Sequence, residues 1–194
     1  MKNLHDIIIK QSKIIINNCK IAMDVTFPEE LIITIPKLSK YDINKLVNDL
    51  KEINYWNCIY IISADEFKMK KEAVTKTFLQ LKSQYPKNYH ISRINDSVHW
   101  LSNNSEKILY VGCKENNLQR RLMQHLGIIN KKSRSVYSLY LNDWWLDHSK
   151  LIIKIWNLQD KVNNAVLQII EDSIWEELHP LFGKKGATFN KKNA

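Results

Sequence analysis

The stretch from Ile108 to Gly127 constrains the fold more than any other part of the chain. Ile108-Leu109-Tyr110-Val111-Gly112 is an apolar run of branched and aromatic residues that ends in glycine, and it predicts a buried strand. Leu118, Leu122 and Leu126 then recur every fourth residue, which is the stripe of a short helix. Arg121 and His125 are also four apart and share a face, predicted to lie opposite the core-facing leucines. Gly127 stands where a left-handed cap closes a helix. One strand, one turn and one helix thereby bring a tyrosine, an arginine and a histidine together.

The rest of the chain frames that unit. Its 194 residues suffice for one good core. Hydrophobic content of 44% and charged content of 25% are those of an ordinary globular domain. No apolar run approaches the roughly 18 residues of a membrane span. Met1–Asp6 lacks the apolar segment and small-residue cleavage site of a signal peptide. Cys19, Cys58 and Cys113 are odd in number and match no metal spacing. A cytoplasmic protein with reduced thiols and no membrane partner is the expectation.

The net charge of +9 points to a polyanionic partner, although lysine-rich coding produces such a charge without selection for binding. Within that bias, arginine is informative. It occurs only at Arg93, Arg120, Arg121 and Arg134, and two of these adjoin the Tyr-Val-Gly strand. A guanidinium offers phosphate a rigid bidentate fork that lysine lacks.

Along the chain, helices are predicted over residues 4–20, 43–53, 65–84 and 160–178. Strands are predicted at 31–35, 58–62, 151–156 and, by alternation, 135–141. Val98–Leu101 is a further short candidate. The last helix carries Glu171 within an apolar line of Leu167, Trp175 and Leu178. A carboxylate in such a place is paired, protonated or bound to a metal.

Tyr-Val-Gly at 110–112, Arg-x-x-x-His at 121–125 and a glutamate at 171 with proline nine residues later, at 180, resemble in order the signature of the GIY-YIG endonuclease family. The resemblance covers roughly residues 56–190. It implies an α+β domain at 55–194, with a small mixed or antiparallel sheet flanked by helices, and leaves 1–54 as an N-terminal accessory segment of unknown role. It implies metal-dependent hydrolysis of DNA phosphodiester bonds. Glu171 would hold Mg²⁺ or Mn²⁺, and Arg121 would grip the scissile phosphate. Tyr110 would act as general base or orient the water, His125 would assist it or touch the phosphate, and Tyr60 would complete the network. Lys114, Arg120, Lys184, Lys185 and Asn190 are the candidates for substrate binding.

Two departures bear on this. Cys58-Ile59-Tyr60 resembles the first tyrosine strand but lacks its glycine and needs an insertion at 63–107. Val98-His99-Trp100 has hairpin spacing but offers Trp100 in place of tyrosine. Gly183 stands where the family often has asparagine, which Asn190 could supply. A non-cutting nucleic-acid-binding module and a protein-interaction domain remain as alternatives. A homodimer would suit symmetric DNA sites.

Overall fold

Four strands form one sheet in the computed structural model, which describes residues 3–38, 43–53, 55–65, 71–84, 106–129, 138–145, 149–159, 162–183 and 185–186. They are β1 (Leu31–Ile35), β2 (Cys58–Asp65), β3 (Lys107–Lys114) and β4 (Lys150–Asn157). Their spatial order is β1-β4-β2-β3, and every neighbouring pair is antiparallel. β2 is central and is buried along all but its last residue. That explains its apolar run Cys58–Ile62, since both of its faces are covered.

Among the described residues, six helices surround the sheet: α1 (Leu4–Asp24), α2 (Ile43–Lys51), α3 (Lys71–Gln84), α4 (Leu118–Leu126), α5 (Leu141–Trp144) and α6 (Asn164–Leu178). The fold is therefore α+β, as expected from the sequence. Tyr60 and Ile62 of β2 face a core completed by Leu50, Phe78, Leu122 and Trp144. Ile59, on the other face, packs with Val166, Leu167 and Ile170 of α6 and with Ile21 and Ala22 of α1. Asn163 starts α6 by accepting a 3.0 Å hydrogen bond from the Val166 amide.

Residues 31–53, which the sequence reading grouped with the N-terminal accessory segment, are built into this same unit. β1 pairs with β4, and Leu46 and Leu50 join the core beneath Tyr60. The C-terminal half of α1 docks through Asn18, which is buried, and through Ile21 and Ala22. Toward its N-terminus the same stripe continues through Ile15, Ile8 and Leu4, which are 38%, 55% and 70% exposed.

One strand expectation fails. Residues 138–140 are irregular and Leu141 opens α5, so the predicted strand over 135–141 is absent from its described part, 138–141. Tyr140 has φ of 51°, which breaks an extended backbone. All four residues from Ser138 to Leu141 are buried, so the alternation had no solvent face to reflect. The Trp144 indole N–H fixes this turn by donating to the Leu139 carbonyl at 2.7 Å. Val98–Leu101, and Trp100 with it, lies outside the described residues. Among the described residues, no helix is long and apolar enough to cross a membrane.

Candidate active site

Tyr60 and Tyr110 meet because β2 and β3 pair. Tyr60 stands opposite Gly112, and Tyr110 is its diagonal neighbour on the ladder. Their rings stack with centroids 6.1 Å apart and planes 26° apart. Gly112 makes the room. A Cβ there would lie 2.6 Å from Cζ and Oη of Tyr60 and 2.7 Å from Cε1 of Tyr110.

α4 supplies the cation. Positions 118, 121, 122, 125 and 126 form one wide helical stripe rather than two opposed faces. This corrects the sequence expectation that Arg121 and His125 look away from the leucines. Leu118, Leu122, His125 and Leu126 are all buried, and Arg121 is half-buried beside them. The Arg121 guanidinium donates from Nε to Tyr60 Oη at 3.3 Å and from Nη2 to Tyr110 Oη at 3.4 Å. Its Nη1 donates to Ser138 Oγ at 2.9 Å. Three hydroxyls from three segments thereby fix the plane of one guanidinium.

The state of His125 follows from its neighbours. Nδ1 accepts a 3.3 Å hydrogen bond from the Leu139 amide, so it carries no proton. Burial, aided by the Arg121 charge, holds the imidazole pKa well below its usual value. The neutral ring therefore bears its proton on Nε2 and donates to Tyr60 Oη at 2.9 Å. Tyr60 Oη receives two N–H donors and is wholly buried. Tyr110 is less buried than Tyr60 as a residue. Burial raises both phenol pKa values, while Arg121 pulls them down.

Glu171 approaches from α6. The Gln168 side-chain amide donates to Glu171 Oε2 and to Asp172 Oδ1, each at 2.9 Å. Burial raises the Glu171 pKa, the Cys113 thiol lowers it by hydrogen bonding, and Asp172 raises it by like charge. The Arg121 charge also lowers it, and the Glu171 charge in turn raises both tyrosines. The Glu171 charge is thus near enough to act on the tyrosine–arginine cluster.

A pH dependence results. A carboxyl whose native pKa lies above its unfolded value binds more protons folded than unfolded, so stability falls as pH rises between the two values. The metal-free protein should lose stability as pH climbs from the ordinary value of 4.5 through the raised native one. Thermal melting in EDTA across this range, compared with Glu171→Gln, should show that slope in the wild type only. Parallel profiles would refute the assignment.

Glu171 is half-buried and has no salt bridge among the described residues. A hard divalent cation takes one or two carboxylates and keeps several waters, and the carboxylates present are Glu171 and Asp172, bridged by the Gln168 amide. No cage of three or more His, Cys, Asp or Glu ligands exists among the described residues. A neighbouring polar atom also lacks a partner. The Trp175 Nε1–H is buried without a hydrogen bond among the described residues. It lies beside Gly183, whose absent Cβ would sit 3.1 Å from the Tyr110 ring and 4.0 Å from that nitrogen.

The other candidates are dispersed. Lys114 is half-buried on β3, opposite Cys58, and Arg120 is exposed on α4. Lys185 pairs with Glu176 at 2.6 Å, and both side chains are exposed. Lys184 and Asn190 lie outside the described residues. Sequence reasoning missed Ser138, Gln168, Cys113 and Trp175. Gln168 was findable as the helical neighbour three residues before Glu171. Ser138 left no signal.

Comparisons of the chain with protein-family models, with curated proteins and with solved structures give no match.

Proposed function

We propose that this chain is a metal-dependent DNA endonuclease of the GIY-YIG kind. One observation carries the reading. Two phenols, a guanidinium and an imidazole are joined by hydrogen bonds, and the Glu171 carboxylate acts on the same charges. They follow the family's order in the sequence.

Hydrolysis forms a bond from a water oxygen to phosphorus as the bond to the leaving oxygen breaks. Transition-state charge spreads over the phosphate oxygens, so catalysis consists mainly of positioning and charge neutralisation. Arg121, fixed in plane, grips the phosphate. Tyr110, the less buried of the two tyrosines, orients the water. Tyr60 holds Arg121, and His125 positions Tyr60. His125 is fully buried and acts through that phenol rather than on the phosphate. The Trp175 N–H offers a further donor beside Tyr110. Mg²⁺ or Mn²⁺ held by Glu171 would supply Lewis-acid neutralisation and a more acidic water. Lys114, Arg120 and the overall charge of +9 favour the DNA backbone as partner.

A supercoiled plasmid tests this. The wild type should nick it with Mg²⁺ or Mn²⁺ and stop when EDTA is added. Tight binding without nicking under either metal would replace the enzyme by a non-cutting binding module.

The bare stripe on α1 favours a second reading, a protein-interaction domain. Leu4, Ile8 and Ile15 extend a seam whose continuation already packs in the core. A chain serving that role alone would neither bind nor nick DNA.

A further inference from the structure

A second recess lies at the start of the arginine helix. It is a cleft of about 530 Å³ lined by Lys51, Tyr55, Trp56, Asn116, Asn117 and Gln119. Trp56 is the notable member. Its side chain is 52% exposed, whereas Trp144 and Trp145 are buried. An indole left in water forgoes a large burial free energy.

The loop that carries Trp56 is nonetheless fixed. Asn57 sits in the left-handed region with φ of 51°. Its side-chain amide donates to the carbonyls of Gln159 at 2.6 Å and Val162 at 2.9 Å. Its backbone N–H donates to the Glu115 carbonyl at 2.8 Å, which ties the loop to the segment leading into α4. The indole is thus presented on a rigid mount.

The facing wall is made of amides. Among the described residues, the side chains of Asn116, Asn117 and Gln119 have no hydrogen-bond partner, and Asn117 does not cap α4 with its own side chain. Asn and Gln carry both a donor and an acceptor, which is the chemistry that reads a base edge. An aromatic face with amides beside it matches a planar heterocycle, and Lys51 adds a cation for the attached phosphate. Asn117 precedes Arg121 by one helical turn, about 6 Å along the axis. That is on the scale of one nucleotide step.

We infer that this cleft takes an unpaired nucleobase of the DNA strand whose phosphate lies at Arg121. The inference rests on the nuclease reading. Trp56 stacks on the base, and Asn116, Asn117 and Gln119 meet its edge.

The test uses the full chain in EDTA with a single-stranded oligodeoxynucleotide bearing one 2-aminopurine. Wild type should bind it and change its fluorescence. Trp56→Ala should weaken binding about 5- to 150-fold, the range for one lost base stack, and Trp56→Phe should recover most of it. Gln119→Ala should alter preference among bases rather than abolish binding. Melting temperatures close to wild type are expected, because Trp56 is half exposed. Plasmid nicking with Mg²⁺ is measured separately on the wild type. If wild type nicks but Trp56→Ala binds the oligonucleotide as wild type does, the cleft assignment falls and the nuclease reading stands. If Trp56-dependent binding occurs without nicking, the cleft stands and the nuclease reading falls. If wild type neither binds nor nicks, both fall.

Discussion

Glu171→Gln should lower metal-dependent nicking at least about 10²-fold while leaving DNA affinity within about twofold of wild type. The substitution keeps the shape of the side chain and its acceptor oxygen for Gln168, so the fold around α6 is preserved. What it removes is the negative charge that would hold a divalent cation. A 10²-fold loss corresponds to about 2.7 kcal/mol of transition-state stabilisation, the scale of one principal electrostatic contributor. On the nuclease reading affinity should persist, because the proposed phosphate contacts, Arg121, Lys114 and Arg120, are unaltered. Equal nicking by wild type and variant would remove Glu171 from the reaction. A parallel loss of binding and nicking would make the residue structural.

Gly112→Ala should destabilise the protein by about 1–3 kcal/mol, the cost of overpacking a tight site. It should also impair nicking well below the melting range. The added Cβ would lie 2.6 Å from Tyr60 and 2.7 Å from Tyr110. Neither ring has an easy retreat. Tyr60 is wholly buried and held by both His125 and Arg121, and the Tyr110 ring lies 4.5 Å from that of His125. Both phenol oxygens would shift against the guanidinium they orient. Melting should fall by about 2–4 °C for each kcal/mol lost. Unchanged melting together with unchanged nicking would show that the rings do not need the space glycine leaves.

The sequence made the local parts of this site legible and the distant parts only by order. Tyr110, Gly112 and Arg121 belong to one strand-turn-helix unit, whose periodicity is written in adjacent residues. Tyr60 enters through pairing across a long insertion, so spacing alone could not separate it from Trp100. The observed β2–β3 register sets Tyr60 opposite Gly112. His125 was found but faced the wrong way. At 100° per residue, positions 121 and 125 adjoin 118, 122 and 126 rather than oppose them. Ser138 was illegible, because a serine in an irregular buried turn follows no pattern. Residues 31–53 were readable as a strand and a helix. Their membership in the common sheet was not, since the pairing of β1 with β4 joins segments at opposite ends of the chain.

The segment beyond α6 has a consequence for the order in which the molecule is made. The Leu181 and Phe182 amides donate to the carbonyls of Ile108 and Leu109 at 3.0 and 2.9 Å, extending the sheet along the outer side of β3. Gly183 is thereby set against Tyr110. Contacts between such distant stretches can form only once both have been synthesised. A nascent chain that has emerged only through α4 holds its arginine and both tyrosines, yet lacks Glu171 and the strip that seats Gly183. On the nuclease reading, a fragment that ends before α6 should show no metal-dependent nicking, since it lacks Glu171 and the strip that places Gly183 against Tyr110.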